Sequence, residues 1–191
     1  WKTLKELVDY AKANPDKVRV GNSGAASHTH IAAVALFNAA GAKITSVPFS
    51  AGQATVNLLG DRIEAAVQFP QAFVSHVKNG DLRVLGMLGT IPDPSFPDVK
   101  TAKAQGYKVG LDLWRGIAVP KGTPKAVITK LQDAIKKTVE SPEFVAAGTK
   151  IGFTPAYQPS DVFTKMIAAD DAGLAVVMKD LGLKKDPEPK K

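Results

Sequence analysis

Over residues 4–88, short apolar runs alternate with stretches of helical periodicity, and the first two runs end in small residues that open the next helix. That alternation is the strongest constraint on the fold. Strand–helix–strand units of this length build a mostly parallel sheet with helices on its faces. Leu4, Leu7, Val8 and Ala11 recur at helical spacing behind a Thr3-x-x-Glu6 capping box, and Asn14-Pro15 stops the helix. The strand at 18–20 empties into Gly21-Asn22-Ser23-Gly24-Ala25-Ala26-Ser27, and a helix over 28–40 follows, ended by Gly41. The pattern then predicts a strand over 44–49, a helix over 53–59, a strand over 63–69, a helix over 71–78 and a strand over 82–88. A proline-rich stretch over 91–97 interrupts regular structure, and a further strand is predicted over 110–119. Thr123 reads as an N-cap with Pro124 at the first helical position. Helices are expected from there to 140, from Ser141-Pro142 onward and over 160–181, before a frayed tail over 186–191.

Composition narrows the function classes. The chain has 191 residues, 45% of them hydrophobic and 23% charged, which is ordinary globular usage. It has no Cys, which removes thiolate catalysis, disulfides and cysteine-rich metal sites. No run approaches the roughly 18 apolar residues of a membrane span. The net charge of +7 is spread evenly, with 12 basic and 9 acidic residues up to Asp112 and 13 and 9 after it. Aromatics make up only 7%. A nucleic-acid binder would gather its basic residues on one face and interleave aromatics, so nucleic acid is not an expected partner.

Chemistry is expected where the strands end. In an open α/β sheet, ligands bind beyond the carboxyl ends of the strands. Three loops would meet there. The first offers Ser23, Gly24, Ala25, Ala26 and Ser27, with His30 at the start of the following helix. The second offers Ser50, Ala51, Gly52 and Gln53, and the third Gln68 and Phe69. Free N–H groups at a helix start suit an anion, and glycine lets a ligand approach the backbone. The first loop lacks the Lys of a Walker A loop and the glycine spacing of a dinucleotide fingerprint, so no nucleotide cofactor is expected. A plainly capped strand-to-helix turn fits the same residues. His28 and His30 are two apart, which is not a metal-binding pair on a helix, and no G-x-S-x-G elbow or acid–base pair points to an enzyme.

The residues also carry a family likeness. Gly21-Asn22-Ser23-Gly24-Ala25-Ala26-Ser27-His28-Thr29-His30-Ile31 resembles the G-S-S-G-x-G-S-x-x-H-L segment of the solute-binding proteins of tripartite tricarboxylate transporters, the Bug family. Leu58-Leu59-Gly60-Asp61-Arg62-Ile63-Glu64 and Phe96-Pro97-Asp98-Val99-Lys100-Thr101 are similar to it too. So is the run from Trp114-Arg115-Gly116 to Gly122-Thr123-Pro124. The resemblance implies a periplasmic, non-enzymatic receptor with the type II periplasmic-binding-protein fold, the Venus flytrap. It would hold a small carboxylate between two lobes and deliver it to membrane permease subunits. Residues 1–112 would form lobe two, and 113–191 the returning part of lobe one. The first stretch of the family pattern, which precedes Trp1, is missing, so exposed apolar surface is expected on the C-terminal section. The family's Tyr-Lys-Gly-Gly is Phe49-Ser50-Ala51-Gly52 here, and Phe49 and Phe69 suit a ligand with an apolar body. The alternative on the same fold is the effector-sensing domain of a transcription regulator, which would need a DNA-binding segment that the chain does not display.

Overall fold

The computed structural model describes residues 1–50, 52–151, 153–180 and Gly182. The chain divides into two compact units. One holds residues 1–113 with the last turn of the final helix, and the other is Trp114–Val176.

The first unit is built on a three-stranded parallel sheet in the order β2-β1-β3, with β1 at Arg19–Asn22, β2 at Thr45–Pro48 and β3 at Ala65–Ala66. Its register pairs Val20 with Ser46 on one side and with Ala65 on the other. Helix α1 (Leu4–Ala13) starts where Thr3 Oγ1 accepts the Glu6 N–H. The Glu6 carboxylate takes the N–H of Lys2 at 2.7 Å instead of that of Thr3, so the box closes one residue early. Helices α2 (His28–Ala39) and α3 (Gln53–Leu59) follow β1 and β2, and α4 (Val74–Lys78) follows a 3₁₀ turn at Pro70–Ala72. The spacing of Leu4, Leu7, Val8 and Ala11 puts all four in the core, against Val18, Val20 and Phe37. Burial of each large apolar side chain contributes about 1.5–3 kcal/mol.

Several expected strands shrink. The strand expected over 63–69 pairs only at Ala65–Ala66, with Glu64 N bonded to Arg19 O and Val67 N to Gly21 O at its ends. Beyond them, Gln68 turns toward Ser23 instead of continuing the ladder. The strand expected over 82–88 makes a single parallel bridge, Met87 to Thr101, because the chain enters a 3₁₀ turn at Lys103–Gln105 directly afterwards. Leu111 N reaches Leu88 O, yet no ladder forms over 110–119.

The second unit carries α5 (Lys125–Val139), α6 (Pro142–Ile151) and most of α7 (Ser160–Asp180). Pro124, not Thr123, is the N-cap of α5, and the Thr123 hydroxyl donates back to Pro120 O. Gln132 Oε1 accepts the Ser160 N–H at the start of α7. Trp114 packs edge-on against Phe163 and donates its indole N–H to Asp170 Oδ2 at 2.9 Å. Among the described residues, every buried apolar side chain of the core lies between Leu4 and Val109. In the second unit Ile117, Val127 and Val176 are 70%, 46% and 64% exposed.

Candidate functional site

The parallel order places the turns after β1, β2 and β3 on one edge of the sheet, and contacts tie them together. The Ser23 hydroxyl donates to Gln68 Oε1 at 2.8 Å, which joins the first and third turns. The His28 ring stacks on Phe69 with centroids 6.1 Å apart. Phe49 N–H bonds to Asn22 O, and a Cβ added to Gly24 would lie 3.8 Å from Phe49 O, so the second turn abuts the first. Gly21 leaves room for this approach. A Cβ there would stand 2.5 Å from Ile63 Cδ1 and 3.3 Å from both Ala54 and Phe49. Ser50, Gly52 and Gln53 are exposed, with Gln53 N–H turned back onto Ser50 O. Ala51 lies outside the described residues.

The first turn satisfies most of its own amides. Ser23 N–H donates to Thr29 Oγ1, Gly24 N–H to Asn22 Oδ1, Ala26 N–H to His30 Nδ1 and Ser27 N–H to Gly24 O. Ala25 N–H alone in this turn has no partner among the described residues, and Ala25 is exposed. Ser27 is the N-cap of α2, its hydroxyl accepting the His30 N–H. Gly24 and Ala26 hold positive φ, +125° and +58°, which shapes the turn for these bonds.

Sequence reasoning missed two organisers of this turn. Asn22 is fully buried and bridges to Ser46 Oγ through Nδ2 while its Oδ1 takes Gly24 N–H. Asn-Ser-Gly after a strand is the signal of such an Asx turn. Thr29, also buried, accepts from Ser23. Among the described residues, the buried Gln68 Nε2 and Thr55 Oγ1 on α3, near the turns, have no hydrogen-bond partner.

The electrostatics are one-sided. Residues 20–42, 44–60 and 65–75, which carry all three turns, contain no Asp, Glu, Lys or Arg. At the opposite edge, Arg19 and Glu64 form a fork, with Nη2 to Oε1 at 2.6 Å and the Arg19 backbone N–H to Oε2 at 2.7 Å. The Arg19 guanidinium holds the Glu64 carboxyl below its ordinary range, against the opposing effect of burial. Burial pushes the His30 imidazole below its ordinary value. The turn edge therefore offers neutral donors: Ala25 N–H, side-chain amide hydrogens and a neutral imidazole. Such a set stabilises a small anion by hydrogen bonding instead of by ion pairing. No group of three or more His, Asp or Glu is arranged to hold a metal among the described residues, and no described helix is long and apolar enough to cross a membrane.

Residues 1–183 match the TctC family, the tripartite tricarboxylate transporter family receptors. The chain belongs to that family. One relative, the UPF0065 protein of the gbd 5′ region of Cupriavidus necator, is 29% identical over 185 residues, covering 96% of this chain and 56% of the relative. A crystal structure of a TctC solute-binding protein from Polaromonas superposes with a TM-score of 0.85 at 30% identity, over 94% of this chain and 62% of that one. An R. palustris protein solved with adipate shares the fold, with a TM-score of 0.75 at 21% identity, over 95% of this chain and 62% of that one. The chain thus spans 56% of the Cupriavidus relative and 62% of the Polaromonas protein.

Proposed function

We propose that this TctC chain is part of a periplasmic receptor that captures a small carboxylate without turning it over and delivers it to membrane permease subunits. The observation that carries this reading is the junction of the three turns after β1, β2 and β3 at one sheet edge, in stretches without charged residues, held by the Ser23–Gln68 bond. Membership of a transporter receptor family and a fold shared with an adipate-bound protein support it. In this reading residues 1–112 are lobe two of a type II flytrap, and 113–191 are the returning part of lobe one. The carboxylate would lie over Ser23, Gly24, Ala25, Ala26, Ser27 and His30, with Ser50, Ala51, Gly52 and Gln53 on one side and Gln68 and Phe69 on the other. Phe49 and Phe69 suit the apolar body of such a carboxylate.

The test is a titration of the whole chain with adipate and malate, followed by amide chemical shifts. Saturable shifts confined to residues 23–30, 50–53 and 68–69 are the expected result. Shifts clustered elsewhere, or no saturable binding, would overturn the reading.

A further inference from the structure

Within the three turn-bearing stretches, His28 and His30 are the only side chains able to gain a charge near neutral pH. They are placed differently. His28 stacks on Phe69, whereas His30 Nδ1 accepts the Ala26 N–H at 3.0 Å. A ring nitrogen that accepts a backbone N–H carries no proton, so neutral His30 holds its proton on Nε2. The bond also braces Ala26 at φ +58°, a left-handed conformation that is strained for a non-glycine residue. Beside it, Ala25 N–H has no partner among the described residues.

We propose that His30 is a positioning residue that couples carboxylate capture at this turn to the uptake of one proton. This rests on the binding function above. A carboxylate that spans the Ala25 and Ala26 N–H groups takes the Ala26 donor away from Nδ1. The freed Nδ1 lone pair then lies beside an anion and accepts a proton from solvent. The imidazolium becomes the one formal charge on an edge that otherwise has none. On release, the proton returns to solvent and Nδ1 recaptures Ala26.

The surroundings leave this role to His30 alone. In the empty turn, burial is the cause that disfavours its protonated form, and no charged side chain contributes. Helix α2 packs on β1 and β2. The charged side chain on those strands is Arg19, which begins β1 at the far edge and is paired with Glu64. His28 is the other titratable group on α2, and the turns after β2 and β3 supply none.

The test is calorimetry of the whole chain with adipate at about pH 6 and about pH 8, in two buffers of different ionisation enthalpy. The expected result is about tenfold tighter binding at the lower pH, which corresponds to an uptake of about half a proton averaged over those two pH units. His30→Gln, whose amide oxygen can take the Ala26 N–H, should bind with an affinity that does not vary with pH. Equal affinity at both pH values, or an unchanged pH dependence in His30→Gln, overturns the coupling and leaves the receptor function standing. Absence of saturable adipate binding at either pH overturns both. Independently of any ligand, the Ala26 amide resonance should follow the His30 titration in the empty chain. An Ala26 amide that ignores it overturns the proposal.

Discussion

Ser23 and Gln68, 45 positions apart, meet in a 2.8 Å hydrogen bond that closes the turn after β1 onto the turn after β3. The bond fixes the Gln68 oxygen, while its nitrogen is buried without a partner among the described residues. A pair of this kind contributes about 1 kcal/mol. Ser23→Ala and Gln68→Ala should each lower stability by about that much. A double-mutant cycle in urea should return a coupling of similar size. Additive effects would mean that the two turns are held together by something else.

Ser27→Ala is expected to act on stability more than on ligand. The Ser27 hydroxyl caps α2 by accepting the His30 N–H. Loss of an N-cap costs about 1 kcal/mol. Ser27→Asp, which can still cap, should restore the thermal midpoint. A midpoint unchanged by Ser27→Ala would show that the cap contributes nothing.

Gly21→Ala should cost about 1–3 kcal/mol, because the new methyl meets Ile63, Ala54 and Phe49 at once. The contact at 2.5 Å is with the end of a flexible side chain, Ile63 Cδ1. Adding Ile63→Val should therefore recover part of the loss. Recovery is the decisive measurement, since a purely conformational cost at Gly21 would not respond to Ile63.

Acid should lower the stability of the first unit over two separate pH ranges. His30 has a folded pKa below its ordinary 6.5, so the folded state resists protonation. Stability is then intact above that value and declines as pH falls from it toward the folded pKa. Glu64 has a folded pKa below its ordinary 4.5, so its contribution is present above 4.5 and is lost as pH falls through the folded value. Thermal midpoints measured against pH should show both declines. His30→Gln should remove the upper one and Glu64→Gln the lower. A single decline that neither change affects would contradict this assignment.

Gly116→Ala should disturb the second unit alone. A Cβ at Gly116 would stand 2.3 Å from Phe163 Cε1, and Phe163 is the ring on which Trp114 rests. The near-ultraviolet signal of Trp114 should change, and Phe163→Leu in the same chain should restore tolerance. An unaltered Trp114 signal would show that the ring yields freely.

Much of this was legible in the residues. The spacing of Leu4, Leu7, Val8 and Ala11 identified both the extent of α1 and its buried face, because a 3.6-residue period leaves few other solutions. The start of α2 at His28 and the span of α3 over Gln53–Leu59 followed from turn residues. The segment over 82–88 was not legible as a single bridge, since an apolar run indicates extended chain without specifying whether a partner lies alongside. The amides of the first turn were visible as donors. That Asn22, Thr29 and His30 reach back to occupy three of them depends on side-chain reach across the turn, which no periodicity encodes.

The Arg19–Glu64 fork sits at one end of the strands and the uncharged turns at the other. On the proposed binding function, holding and recognising fall to different ends of the same sheet. An exchange at an exposed turn position such as Ser50 would then alter the ligand's surroundings while leaving the Arg19–Glu64 clasp in place.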